Sequence, residues 1–434
     1  MINVFVVVLF IIALIGICIE KNIFNYLTVF NAIWGVIIFA SQFALYEMRV
    51  VSDKVYYIII WGCLFFDIGY IVYSLKPISF SINSSRKFFN KKNEKQITTK
   101  FFVFEVIITV LWIILSLRIL SLLLDGIEYN QIRNIYSRKG DIDLLFSWRY
   151  TKTLWKLFVV PSVYVIMVEI ISSLVIKRYS LKYYITAGIL LGLYCFVTGS
   201  RIILLILILM FLFLLGYAKL NKIIEFNSVY KKYIKFCLIG AITAIILITV
   251  FRGKQTEQET FKDKMLPYYT YCTTVVPLMD YWIEYIDMNE LPTHGLTVTN
   301  GIATLLKIFR VPLIDAAQDS IDNLTYISNT YIPVFGTRRY NAFLSVFFYF
   351  YRDFREFGVV VCSYIFGWIS AYIFNQMKYK KTKYSFNVVL IFFIAIIKTF
   401  ARFEFVQFDY LMIFVINWIL YNLKEKKESL YETK

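Results

Sequence analysis

The 434-residue chain is 59% hydrophobic and 19% aromatic with a mean hydropathy of +0.65. Soluble globular domains average about 45 to 50% apolar by a similar count, so a soluble domain is excluded and an all-α polytopic membrane protein is expected. A net charge of +17 and a pI near 9.3 would suit a nucleic-acid partner, but Lys and Arg fall in short blocks between apolar runs. They read as a topology signal, with no nucleic acid implied.

A spanning helix needs roughly 20 apolar residues, and on that rule there are about eleven candidates. They fall near 3–19, 24–46, 55–75, 101–124, 154–176, 183–198, 201–218, 236–252, 357–374, 386–400 and 407–422. The first, MINVFVVVLFIIALIGICIE, lacks a basic leader and a small-residue cleavage site, so it is expected to stay as a helix. Basic residues concentrate in RKFFNKKNEK, KRYSLK, LNKIIEFNSVYKKYIK, NQMKYKKTK and LKEKKES. Because cytoplasmic loops gather Lys and Arg, these segments go inside and the N-terminus goes outside. The chain then divides into about eight N-terminal spans in 1–252, a large external loop at 253–356, and about three C-terminal spans with a cytoplasmic tail in 357–434. It reads as one membrane domain carrying an inserted external platform.

Within that platform, MLPYYTYCTTVVPLMDYWIEYIDM has apolar residues at helical spacing interrupted by Pro277, and NGIATLLKIF is a second short apolar helix. Such helices suit a membrane interface, where Tyr and Trp are at home. The six cysteines are scattered and the one histidine, His294, has no metal-ligand spacing around it, so neither a disulfide framework nor a metal or other cofactor is expected. Walker A, dinucleotide-binding, zinc-protease and GxSxG motifs are all missing from the sequence.

Six arginines and a seventh at the TGSR turn stand at the outer boundary, against the positive-inside tendency: Arg201, Arg252, Arg338, Arg339, Arg352, Arg355 and Arg402. A guanidinium offers a fixed fork of donors that matches phosphate oxygens and stays charged. Each also has a plain reading, as a headgroup anchor or as a partner for Asp353, Glu356 or Glu404. Gly199 suits the tight TGSR turn, and Ser200 suits the start of the next helix. Asp353 is either a salt-bridged helix start or a general base; His294 is either a solvated loop residue or a proton acceptor. Asp67, Glu105, Arg118 and Glu169 lie within expected spans, where ionisable groups face a bundle interior.

TGSRIILLILILMFLFLL, the large external loop, and YNAFLSVFFYFYRDFREFG together resemble the bacterial O-antigen and capsular polysaccharide repeat-unit polymerases (Wzy type). In that family an Asn and an aromatic stretch precede Asp-Phe-Gly and a second Gly three residues on. Asn341, Asp353, Phe354 and Gly358 fit, while Arg355 stands where the first glycine would be. The resemblance implies a GT-C-like helical bundle in the bacterial cytoplasmic membrane, needing no nucleotide sugar or cofactor. It implies a glycosyltransferase that moves a growing glycan from undecaprenyl pyrophosphate onto a sugar hydroxyl of a new lipid-linked repeat unit. Donor and acceptor lipids, membrane lipids and a chain-length regulator are the implied partners. On this reading Arg201, Arg252, Arg338, Arg339 and Arg402 hold the pyrophosphate, Tyr340, Asn341 and Arg352 hold the acceptor sugar, and Asp353 or His294 takes the hydroxyl proton. Two other functions fit the architecture: an O-antigen ligase, which also uses external arginines and a loop histidine, and a lipid-linked oligosaccharide flippase, which would be expected to show paired halves.

The sidedness is directly testable. Ser200→Cys and Thr337→Cys should each react with a membrane-impermeant thiol reagent in intact cells, above the wild-type background. Reaction only after permeabilisation would put Arg201 and the Arg338/Arg339 pair inside the cell.

Overall fold

The computed structural model describes residues 2–75, 91–137, 145–146, 149–175, 180–200, 202–220, 261–341, 343–380 and 382–422. The expected span 236–252, together with Arg201 and Arg252, lies outside them. The described residues are predominantly helical. Eight of their helices are long and apolar enough to cross a membrane, in keeping with a multi-pass membrane protein. The expected span 24–46 shortens to the helix Tyr26–Ser41, because Ala44, Tyr46 and Glu47 take positive φ and turn the chain. The last span narrows to Phe408–Asn422.

The chain separates into two compact units that cut across the expected three-part division. One comprises 1–78, 254–379 and 392–411; the other comprises 79–253, 380–391 and 412–434.

In the first unit, Ile2–Glu20 and Tyr26–Ser41 pack as a hairpin, joined by Asn25. The Asn25 side chain caps the second helix by accepting from the Thr28 amide at 2.8 Å, as a short polar side chain before an apolar run is suited to do. Asp53–Leu75 and Ser345–Lys380 approach each other at two glycines. A Cβ on Gly69 would sit 2.1 Å from the Tyr364 carbonyl oxygen, and one on Gly367 would sit 2.0 Å from that of Phe66. Phe30 stacks on Phe66 with ring centroids 3.8 Å apart, and Trp34 lies against Phe347 at 4.8 Å. All four side chains are fully buried. Asp67, inside its span, accepts from the Asn31 amide at 2.8 Å, so the buried carboxyl has a polar neighbour.

The two ends of this unit differ in chemistry. At one end Lys378 pairs with the buried Glu20, which also accepts from Tyr70 and Ser74. At the other end gather the platform helices Phe261–Thr273, Val275–Asn289, Asn300–Ile308 and Asp315–Asn329 and a two-stranded antiparallel hairpin, Ile332–Phe335 with Arg338–Tyr340. The first two helices are interrupted at Thr274, one turn before Pro277, whose missing N–H removes the bond that would span the gap. The platform docks on the loop between the second and third helices. Ser52 donates to Asp280 through both its hydroxyl and its amide, Arg49 pairs with Glu284 at 3.2 Å, and Lys54 pairs with Asp287 at 2.7 Å. The Arg49 amide donates to the Val334 carbonyl at 2.8 Å, extending the hairpin.

In the second unit, Trp112 packs on Trp155 and on Tyr194, each at 5.1 Å, joining the helices Lys91–Leu124, Val160–Val175 and Leu181–Thr198 through a π-helical turn at Trp155–Val159. Gly199 ends Leu181–Thr198 in the left-handed conformation at φ 58°, with its amide bonded to the Cys195 carbonyl at 2.8 Å. Glu169 is the polar centre of this unit. It pairs with Lys383 at 2.5 Å and accepts from the Asn387 amide at 2.7 Å and from the Tyr421 hydroxyl. The Glu105 oxygens, by contrast, are buried and find no hydrogen-bond donor among the described residues.

The glycine contact sets an expected outcome. Gly367→Leu forces side-chain volume against backbone and should cost at least the roughly 1–3 kcal/mol usual for overpacking. Thermal unfolding of the detergent-solubilised protein checks this. An unchanged midpoint would mean that the two helices separate freely.

Candidate functional site

The segment YFYRDFREFG builds the site from a broken helix. Ser345–Lys380 is interrupted by Phe354 at φ −143°, ψ 24° and by Arg355 at φ 54°, ψ −141°. The second pair of angles belongs to a region nearly reserved for glycine, at a cost of about 1–3 kcal/mol for a side chain with a Cβ. Three residues on, a Cβ at Gly358 would sit 2.2 Å from the Phe350 carbonyl oxygen, so the returning chain lies directly on the turn above it.

A broken helix leaves carbonyls without their usual amide partners. Here the loop after the platform helix Val275–Asn289 supplies them: the Thr293 amide donates to the Arg352 carbonyl at 3.2 Å, and the His294 amide donates to the Asp353 carbonyl at 3.0 Å. The Asp353 carboxylate completes the arrangement. It is fully buried and accepts from the Thr293 hydroxyl and from the amides of Thr297 and Val298, both at 2.8 Å. Asp353 therefore caps the loop, and its geometry is that of a positioning residue rather than of a base facing solvent.

His294 sits on this loop with φ 51°, followed by Gly295 at φ 93°. Its side chain is exposed, with the ring 6.0 Å from that of Phe354. Of the two expected proton acceptors, His294 is the one open to an incoming hydroxyl.

The arginines separate into buried and exposed sets. Neither Arg352 nor Arg355 pairs with Asp353, because successive residues on a helix do not face one another. Arg352 is fully buried, bonded to Glu290 at 2.8 Å and to the Ser320 carbonyl at 3.3 Å. That placement gives it an interior role in place of the expected contact with acceptor sugar. The Arg355 guanidinium donates to the carbonyls of Ile286 and Glu290 at the end of Val275–Asn289, where cations suit the helix C-terminus. Arg402 lies in the turn between the last two apolar helices and pairs with Glu404 at 2.6 Å, while Lys398 approaches the same carboxylate at 3.3 Å. Burial alone would raise the Glu404 carboxyl, but the two cations outweigh it and hold it below the ordinary carboxylate value. Arg338 and Arg339 are exposed on the hairpin, and among the described residues neither makes an ion pair. Tyr340 is half-buried with its ring 5.5 Å from Phe335, and Asn341 follows it, also half-buried.

The structure thus brings Asp353, His294 and Arg352 together through the backbone, and sets Arg338, Arg339 and Arg402 at the same end of the unit. Glu290, Thr293 and Thr297 escape a reading of the sequence. The one available signal is the pair of threonines four residues apart in PTHGLT. Among the described residues, no three His, Cys, Asp or Glu side chains are grouped to hold a metal ion. No family model matches the chain, and no curated protein or solved structure matches it.

The turn at Arg355 yields a comparison in which the side chain cancels. Arg355→Gly and Arg355→Ala both lose the guanidinium, but only glycine relaxes the backbone. The glycine variant should be the more stable by about 1 kcal/mol or more, read from their thermal midpoints.

Proposed function

We propose that the chain is an oligosaccharide repeat-unit polymerase of the bacterial cytoplasmic membrane, acting at the outer face, with about eleven spans expected from apolar run length and the GT-C-like bundle that the resemblance implies. The observation that carries this reading is the backbone at Arg355. The resemblance rests on an Asp-Phe-Gly turn that this sequence lacks by letter, and the chain nevertheless adopts the glycine-type conformation at that position, with Gly358 closely packed after it.

In the reaction, the bond between the anomeric carbon of the donor glycan and a pyrophosphate oxygen breaks. A new bond forms from that carbon to a hydroxyl oxygen of the acceptor repeat unit, and the hydroxyl proton passes to a base. Undecaprenyl pyrophosphate leaves with the electron pair. Arg338 and Arg339 suit the accumulating negative charge because they are exposed and, among the described residues, make no ion pair. Arg402 contributes after partly neutralising Glu404. His294 suits the proton because its exposed ring is open to an acceptor oxygen brought within hydrogen-bond reach. Asp353 holds the loop that presents it.

Ligase activity is the second reading, favoured by the exposed, anchored His294. One experiment separates the two. The purified full chain in liposomes, given lipid-linked repeat units alone, should produce a ladder of longer glycans; single transfer only when a lipid A core acceptor is added indicates the ligase. Arg339→Ala should lower chain extension by about a hundred- to a thousandfold, as loss of one positioned donor does, and Arg339→Lys should also be impaired. Wild-type ladders from both variants would remove Arg339 from the reaction.

A further inference from the structure

The platform helix Asn300–Ile308 is seated on protein at its start and packs along one side against Asp315–Asn329. Gly301 is buried so closely that a Cβ would sit 2.5 Å from the Phe405 carbonyl oxygen, and the Asn300 amide donates to the Val406 carbonyl at 3.4 Å. Phe405 and Val406 belong to the turn that joins the apolar helices Lys383–Ile397 and Phe408–Asn422. The depth of the platform helix is therefore fixed at the level where membrane-spanning helices end. From that seat it extends about 13 Å at the usual rise.

Its uncovered residues form an apolar stripe. Ile302, Leu306 and Phe309, spaced by four and three residues, are 54%, 39% and 64% exposed, and Val311 and Ile314, next along the chain, are 43% and 68% exposed. Apolar residues at this spacing share one helix face. A contiguous exposed apolar surface of this kind marks an interaction site. Lys307 and Arg310, both exposed, stand beside it.

We propose that residues 300–314 lie in the headgroup layer of the bilayer the protein spans. The side chains of Ile302, Leu306, Phe309, Val311 and Ile314 enter the acyl boundary, and Lys307 reaches lipid phosphate. Lipid is the occupant that fits, because the helix is seated on the turn at which two apolar helices end, with its apolar stripe left uncovered there. Exposed Lys307 complements anionic headgroups, and an apolar face with a cationic flank is the pattern of an interfacial helix. The inference does not depend on the proposed glycosyl transfer.

The test uses the full chain in nanodiscs of phosphatidylglycerol and phosphatidylethanolamine. Phe309→Cys and Ile314→Cys are labelled with an environment-sensitive fluorophore, with the wild-type signal subtracted; Asp319→Cys, on the exposed side of the neighbouring helix, is the control. Probes at Phe309 and Ile314 should be quenched by doxyl-labelled lipids and should lose severalfold in iodide quenching relative to the control. Equal iodide quenching at all three positions overturns the proposal, since the stripe then faces water. Protection from both quenchers also overturns it, since protein then covers the stripe. Leu306→Cys, read in the same way, decides the matter should either labelled variant fail to insert.

Discussion

The Asp353 carboxylate is the interaction on which the platform end of this protein depends. It takes three donors from a single loop, and the backbone on either side of it takes the amides of Thr293 and His294. Removing it would leave buried amides without partners, each at about 1–3 kcal/mol. The break in the helix and the fold of the loop are thus two halves of one hydrogen-bonded system. Arg352 and Arg355, the flanking residues, extend that system by binding Glu290 and the last carbonyls of the platform helix. Loss of one partner from a buried pair such as Arg352 and Glu290 costs about 3–5 kcal/mol, because the remaining charge stays buried alone. The apolar wall around this knot, Phe347 to Tyr351, excludes water and strengthens its bonds.

Charge is arranged to a consistent pattern along the first unit. Cations and carboxylates at the platform end form a broad, partly exposed network running from Arg49 through Lys54 and Asp287 to Glu356. The opposite end has a compact pair, the buried Glu20 with the half-buried Lys378. Individually exposed pairs contribute little, so the platform is secured by the number of contacts and by its aromatic packing, such as Trp282 on Tyr285 and Tyr326.

Apolar run length made the helical, membrane-spanning character legible, since crossing hydrocarbon demands a long uninterrupted stretch. Helix ends were less legible. Nothing in FALYEMRV announces that Ala44, Tyr46 and Glu47 take positive φ, a choice made by tertiary contacts with the hairpin and Tyr269. At the site, the sequence flagged Asp353, His294 and the arginines because charged groups at a membrane boundary are conspicuous. Of the plain pairings open to the arginines, Arg402 takes Glu404, whereas Arg352 does not take Asp353, because a helix points sequence neighbours apart. Partners such as Glu290 and Thr297, some sixty residues away, are set by folding and leave no local trace.

The reciprocal fit of Gly69 under Tyr364 and Gly367 under Phe66 works as a mortise joint. Two helices so notched can neither slide lengthwise nor roll without lifting apart. The bend at Phe354 and Arg355 is then what lets one continuous chain leave that joint and enter the platform knot. Below the bend the long helix is held in a single register, and above it the fully buried run from Ser345 to Asp353 is held by the platform.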